Sequence, residues 1–177
     1  MLPKLTLVLG GADSGKTAFA ERLVAGSGFH PVYLATGQAF DDEMRTKIDR
    51  HKRLRGLEWR TVEAPRDAAA ALAAIAPADC VLLDCATMWL TNQLMAEADL
   101  DEKTDQLLAA ITGCAGPVVV VSNELGLGVV PDNALCRAFR SAQGRLNQKL
   151  ATHAGLAVLV VAGLPVVLKG TLPGRHA

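Results

Sequence analysis

Leu5-Thr6-Leu7-Val8-Leu9-Gly10-Gly11-Ala12-Asp13-Ser14-Gly15-Lys16-Thr17 is the stretch whose reading decides the fold. A β-type, largely apolar run enters a loop of the form G-x-x-x-x-G-K-[ST], and a helical pattern from Ala18 to Val24 leaves it. Strand before and helix after is the context that a phosphate-binding loop requires. Gly10, Gly11 and Gly15 permit backbone angles and close approach that a Cβ would forbid. The successive N–H groups of Gly10, Gly11, Ala12, Asp13, Ser14, Gly15, Lys16 and Thr17 then converge on one concavity and cradle phosphate oxygens. The helix that starts near Lys16 adds its positive dipole end. Lys16 is placed to reach the β and γ phosphates, and the Thr17 hydroxyl to ligate Mg²⁺. The bland alternative is a glycine-rich turn that matches by chance. A match over the full motif in its proper context argues against it.

Working outward, 177 residues suffice for one domain with a sizeable core and fall short of two full domains of ordinary size. The expected division is a single nucleotide-binding catalytic domain over residues 1–170 and a frayed tail over 171–177. Half the residues are hydrophobic and a fifth are charged, the balance of a soluble globular protein. Lys plus Arg equals Asp plus Glu at 18 each, so the basic excess of a non-specific nucleic-acid binder is missing. Met1-Leu2-Pro3-Lys4 leads straight into a strand, without a secretory pattern. The longest apolar stretch, Ala157 to Leu168, is too short for a bilayer and is broken by Gly163 and Pro165. Cys80, Cys85, Cys114 and Cys136 form no C-x-x-C pair, and three lie beside or within apolar elements. They read as reduced, mostly buried thiols of a cytoplasmic protein, with neither a disulfide framework nor a zinc site.

Strand and helix patterns alternate along most of the chain. Strands are expected at Val32–Thr36, Trp59–Val62, Val81–Asp84, Pro117–Ser122 and Leu156–Val161. Val166–Leu168 is expected to return antiparallel after the turn Gly163-Leu164-Pro165. Helices are expected from Asp41–Asp42 to about Arg55, and over Arg66–Ile75, Thr87–Ala98 and Glu102–Cys114. Another is expected from a cap at Asp132 to about His153. The four consecutive valines after Pro117 suit a strand buried on both faces. Such alternation implies an α/β fold with a mostly parallel sheet, helices on both faces and an antiparallel C-terminal edge strand. Ligands of these sheets bind beyond the carboxyl ends of the strands. The phosphate loop, Thr36, Asp84 and Asn123-Glu124 all fall there.

Asp84 ends an apolar strand, the form of a second nucleotide-binding motif whose acid holds Mg²⁺ directly or through water. It could equally cap the following helix. His51 shares a helical face with Met44 and Ile48, where a structural histidine is the commoner outcome. Its neighbours are Lys47, Arg50, Lys52, Arg53 and Arg55. They form either a solvated basic face or a cluster that binds phosphate around a nucleophile. A neutral imidazole can attack phosphorus near pH 7, and nearby cations favour the neutral form. Glu63 and Glu124 are either exposed loop carboxylates or acceptors for a sugar, a base or a histidine.

On these residues the chain closely resembles the bifunctional adenosylcobinamide kinase and adenosylcobinamide-phosphate guanylyltransferase family of cobalamin biosynthesis. The match covers almost the whole length. It rests on Gly10 to Thr17, Tyr33-Leu34-Ala35-Thr36, and Asp42-Glu43-Met44 followed by Ile48, His51 and Arg55. It continues through Trp59 to Glu63, Leu83-Asp84-Cys85, Trp89-Leu90-Thr91-Asn92 and Ser122-Asn123-Glu124 through Pro131. Phe139-Arg140, Gly144 to Gln148 and Val161 to Pro165 complete it.

The resemblance implies a RecA-like, three-layer P-loop fold and a homotrimer. It implies phosphorylation of the aminopropanol hydroxyl of adenosylcobinamide by GTP or ATP. Transfer of GMP from GTP to that phosphate then gives adenosylcobinamide-GDP and pyrophosphate. The second step runs through a guanylylated histidine, which matches His51. Nucleotide contacts map to Gly10 through Thr17, to Ala35, Thr36 and Gly37, to Lys52, Arg53, Leu54 and Arg55, and to Glu63 and Asp84. Mg²⁺ falls to Thr17 and Asp84. One departure is Asp13, where the family usually carries a basic residue. The residues alone also suit a P-loop kinase of a small metabolite without guanylyl transfer, or a nucleotide-dependent switch.

Overall fold

The computed structural model describes residues 1–37, 56 and 58–174. Its strands are β1 (Leu5–Gly10), β2 (His30–Ala35), β3 (Arg60–Glu63), β4 (Asp79–Asp84), β5 (Val118–Asn123), β6 (Leu156–Val161) and β7 (Leu164–Lys169). Its helices are α1 (Lys16–Ala25), α2 (Ala68–Ala73), α3 (Ala86–Met95), α4 (Leu100–Gly113) and α5 (Ala134–His153). The strands form one sheet in the order β3-β2-β4-β5-β1-β6-β7. Every neighbouring pair is parallel except β6–β7, which is antiparallel. The expected fold class is therefore the observed one.

Period-two alternation sorts the strand side chains onto two faces. Leu7, Leu9, Val81, Leu83, Val118 and Val120 face one way, where α2, α3, α4 and α5 cover them with Leu72, Trp89, Leu90, Leu107, Ile111, Leu146 and Leu150. Val8, Leu82, Val119, Val121, Val158 and Val160 face the other way, against Phe19, Ala20 and Val24 of α1. The valine run of β5 is buried on both sides, as its composition predicts. Leu83 is fully buried. Cutting it to Ala would cost about 2–5 kcal/mol, the usual range for a core leucine.

Element boundaries shift where side chains cap helices. α5 begins one residue later than the Asp132 cap predicts. Asn133 Oδ1 accepts from the Leu135 and Cys136 amides at 2.8 and 3.2 Å, while the Asp132 carbonyl is taken by Arg137. α2 is shorter than Arg66–Ile75: Asp67 caps it through the Ala70 amide at 3.0 Å and sets its start at Ala68, and it ends at Ala73. Asp99 caps α4 and brings its start to Leu100. β2 starts at His30 and β3 at Arg60, each offset by one or two residues from the pattern. Cys80 and Cys114 are buried, Cys85 is half-buried, and Cys136 is exposed. The helix expected from Asp41 to Arg55 lies outside the described residues, as do residues 175–177.

The parallel register brings the strand ends into one line. Gly10 is level with Asn123, Ala35 with both Glu63 and Asp84, and Asp84 with Val121. The functional candidates of five strands thus share one rim.

Candidate nucleotide site

Gly10 closes β1 and is buried. A Cβ there would sit 2.8 Å from the Val160 carbonyl oxygen, so a larger residue would push the loop off β6. Gly15 occupies the N-cap of α1 at φ +87°, a left-handed conformation that only glycine adopts without strain. Between them Asp13 also stands at φ +52° and is exposed. The loop closes on itself through the Ser14 amide to the Gly11 carbonyl at 3.3 Å, and α1 opens with the Phe19 amide on Gly15 at 3.0 Å. Phe19, Ala20 and Val24 anchor that helix in the core. The first amides of a helix lack intrahelical partners and face the loop mouth. Lys16 folds back, its Nζ 2.9 Å from the Gly11 carbonyl oxygen, and Thr17 is half-buried beside it.

Two outside amides hold the loop in place. Glu124 donates its N–H to the Gly10 carbonyl at 3.1 Å, and Gly163 donates to the Ser14 carbonyl at 2.8 Å. Asn123 is in turn fixed at both backbone groups. Its N–H donates to Thr87 Oγ1 at 2.9 Å, and its carbonyl accepts from Asn147 Nδ2 at 3.0 Å. Asn147 belongs to a buried network with Ser122 and Gln143. The Glu124 carboxylate accepts from the Gly126 amide, so it shapes its own loop. Arg140 secures the same loop through the carbonyls of Gly126, Gly128 and Val129.

Asp84 ends β4 and is half-buried. β5 lies between β4 and β1, which separates the two strand axes by about 9–10 Å at the usual spacing. Tyr33 Oη donates to Asp84 Oδ2 at 3.0 Å, and the Tyr33 ring packs edge-on against Trp59 with centroids 6.4 Å apart. Cys85 follows, and its Sγ accepts from the Met88 amide at 3.4 Å. Burial and the adjacent Asp84 charge push the Cys85 thiol up to about 11, so it stays protonated.

Thr36 is fully buried and donates its hydroxyl to the Cys85 carbonyl at 2.7 Å. Asn92, also buried, donates to the carbonyls of Thr36 and Pro65, both at 2.8 Å. Trp89 and Gln93 donate to the Arg66 carbonyl. Ala35 and Thr36 are therefore held at the rim, Ala35 also through the Ala64 amide on its carbonyl, with exposed Glu63 beside them on β3. His51, Lys52, Arg53, Leu54 and Arg55 lie outside the described residues.

The site thus unites the loop residues, Ala35 to Gly37, Glu63 and Asp84 on one rim. The sequence reading did not single out Tyr33, Thr87, Asn92 or Gly163 for a role at the site. Tyr33, Asn92 and Gly163 sit within stretches that carry the family resemblance, and the strand alternation that buries Val32 and Leu34 leaves Tyr33 on the other face. Nothing in the sequence signals a contact between Gly163 and Ser14.

A mostly parallel α/β sheet whose first strand ends in this loop defines a P-loop nucleotide-binding protein. The RadB recombinase crystal structure shares the fold, with a TM-score of 0.50 at 18% identity over 89% of this chain and 74% of that one. A sequence model described as cobinamide kinase / cobinamide phosphate guanyltransferase matches residues 6–168. The bifunctional adenosylcobalamin biosynthesis protein CobP of Pseudomonas aeruginosa is 45% identical over 167 residues, covering 93% of this chain and 96% of its own. The bifunctional proteins named CobU from Salmonella typhimurium and Escherichia coli are 41% and 40% identical over 181 residues, at 93% and 99% coverage. The chain belongs to the cobinamide kinase / cobinamide phosphate guanyltransferase family.

Proposed function

We propose that this chain carries out both reactions of its family at the one rim. The first transfers the γ-phosphoryl group of GTP or ATP to the hydroxyl of the aminopropanol arm of adenosylcobinamide. The second transfers GMP from GTP to the resulting phosphate, giving adenosylcobinamide-GDP and pyrophosphate. The observation that supports this reading is that the Gly10–Thr17 loop with Lys16, at the end of β1, and Asp84, at the end of β4, lie on one rim with only β5 between them. Phosphoryl transfer needs positioning and charge stabilisation more than covalent help. Loop amides hold the phosphates, and the Lys16 ammonium, once drawn off the Gly11 carbonyl, follows the charge on the transferred group.

For guanylyl transfer, His51 is the nucleophile. A bond forms between its ring nitrogen and the α phosphorus as the bond to the pyrophosphate oxygen breaks. An oxygen of the substrate phosphate then attacks the same phosphorus, and the phosphorus–nitrogen bond breaks. Splitting one hard displacement into two is the gain of covalent catalysis. The family resemblance assigns Lys52, Arg53, Leu54 and Arg55 to nucleotide binding as well, together with Ala35 to Gly37 and Glu63, whose carboxylate suits a sugar or base donor.

The donor set fits Mg²⁺. Thr17 offers a hydroxyl and Asp84 a carboxylate, both hard oxygen ligands. No group of three or more His, Cys, Asp or Glu suited to a metal cage occurs among the described residues. In nucleotide sites Mg²⁺ takes one or two such protein oxygens, with phosphates and water completing the shell. When bound it neutralises phosphate charge and orients the β and γ groups.

A homotrimer is the proposed assembly. All six residues of β7 are exposed, among them Leu164, Val166, Val167 and Leu168, and an apolar edge strand of this kind is a docking surface. The proposed setting is the cytoplasm, with small-molecule substrates and no nucleic acid; no described helix is long and apolar enough to cross a membrane.

The test uses GTP labelled at the α phosphorus. A covalent label that survives base, leaves in acid and vanishes in His51→Asn supports the reading. Phosphorylation of adenosylcobinamide without any label leaves a plain kinase. GTP binding with neither reaction leaves a switch.

A further inference from the structure

The turn that joins β6 to β7 touches the phosphate loop. Ala162 and Gly163 stand at φ +50° and +78°, the paired positive values of a two-residue hairpin of the type I′ kind. β6 runs parallel beside β1, with Val160 level with Gly10, and so delivers this turn to the loop. There the Gly163 amide donates to the Ser14 carbonyl at 2.8 Å. Gly163 Cα also lies 3.2 Å from where a Cβ on Gly15 would stand, so the two glycines meet back to back.

The geometry has an electrostatic consequence. The Ser14–Gly15 peptide is trans, and in a planar trans peptide the C=O and N–H point in opposite directions. Fixing the Ser14 carbonyl on the hairpin therefore aims the Gly15 N–H away from it, on the side where α1 offers its unpartnered first amides. Gly15 has the freedom to rotate this peptide at little steric cost. A flipped peptide would show a carbonyl oxygen to a phosphate, replacing attraction with repulsion.

We propose that the β6–β7 turn is a positioning element for the phosphate cradle, in which the Gly163 amide holds the Ser14–Gly15 peptide with its N–H turned to the nucleotide. This rests on the reading of Gly10–Thr17 as the nucleotide site. Gly163 touches no substrate; it acts through Ser14.

The experiment deletes that one hydrogen. Residues 136–177 are made by synthesis and joined at the native Cys136, which is exposed, to recombinant residues 1–135. In one version glycolic acid replaces Gly163, converting the Ala162–Gly163 amide to an ester that has no N–H. In the control, glycolic acid replaces Gly155, whose amide donates to the Leu5 carbonyl at 2.9 Å, away from the loop. GTP and inorganic pyrophosphate binding are measured by calorimetry, and unfolding is followed without ligand. The ester at 163 is expected to weaken both ligands about fivefold, the size of one hydrogen bond, and to raise KM for GTP with little change in kcat. The ester at 155 should lower the melting temperature comparably and leave both affinities unchanged.

Equal affinities in the two esters overturn the proposal, provided the all-amide protein binds GTP. If the all-amide protein binds neither ligand, the nucleotide reading fails and the brace falls with it. A recombinant variant with one glycine inserted between Ala162 and Gly163 gives a second route should the ester not refold. It must weaken GTP where an extra glycine after Gly170 does not, and equal affinities there likewise refute the brace.

Discussion

Tyr33 reaches past its register partner Leu82 to place its hydroxyl 3.0 Å from Oδ2 of Asp84, two residues further along the neighbouring strand. The phenol orients one oxygen of the carboxylate proposed to serve Mg²⁺. Hydrogen bonds to charged groups contribute about 1.5–3 kcal/mol, which corresponds to roughly tenfold or more. Tyr33→Phe should raise the Mg²⁺ concentration needed for half-maximal kinase rate about tenfold. Metal-free nucleotide binding should stay as it was. Initial rates across a Mg²⁺ series decide this, and an unshifted curve refutes it.

Asp13 puts a negative charge in the phosphate loop while standing at φ +52° and exposed to solvent. Asn tolerates the same backbone region and removes the charge. Repulsion between exposed charges a few ångströms apart amounts to about 1 kcal/mol. Asp13→Asn is therefore expected to tighten GTP binding about threefold to fivefold at low salt, with the gain fading as salt screens the loop. Titrations at two ionic strengths check both the size and the fading.

The thiols should react unequally. Burial pushes Cys80 up to about 12 and Cys85 up to about 11 from an ordinary 9.0, and Cys114 is buried as well. A disulfide reagent at pH 8 should find one fast thiol, Cys136, in the native protein and all four after denaturation. The same shifts set an alkaline limit. The native state keeps protons that the unfolded state releases above pH 9, so the stabilising contribution is complete below that pH. It should decline as pH rises toward 11–12. Denaturant midpoints at pH 8 and pH 10.5 test the direction.

Asn92 is buried and ties two loops through the carbonyls of Thr36 and Pro65. Asn92→Ala leaves both carbonyls without that donor. The expected cost is about 2–3 kcal/mol, seen as a lower urea midpoint with the slope unchanged. A loss below about 0.5 kcal/mol, the level of an ordinary surface change, would show that water replaces the amide at both carbonyls.

Lys16→Ala should abolish phosphoryl transfer by about two to three orders of magnitude, as removal of one preorganised charge-stabilising group does. Its ammonium rests on the Gly11 carbonyl at a half-buried position outside the two core clusters, so the melting temperature should hold. A collapse in stability would instead make Lys16 structural.

How much of this was legible beforehand follows from the range of each interaction. The loop from Gly10 to Thr17 announces itself because its signal is local. β5 does so because four valines in a row suit a strand buried on both faces. The rim positions of Thr36 and Asp84 follow from a topology that alternation implies. Helix caps differ from the pattern by a residue or two because Asp132 and Asn133 are both good caps; Asn133 takes the Leu135 and Cys136 amides, while Arg137 binds the carbonyls of Pro131 and Asp132 just before it. The bonds of Tyr33 to Asp84, Asn92 to Pro65 and Gly163 to Ser14 join residues far apart in the chain. No periodicity encodes them.

The strand order carries one last consequence, for the newborn chain. β1 emerges first, yet both its neighbours, β5 and β6, come from the last third of the sequence. The loop after β1 cannot gain its walls until β6 has been made, through Val161. Its apolar strand waits unpaired while everything from α1 to β5 is made. Contacts of such long sequence separation slow folding. An N-terminal fragment that carries the full motif should therefore bind no nucleotide.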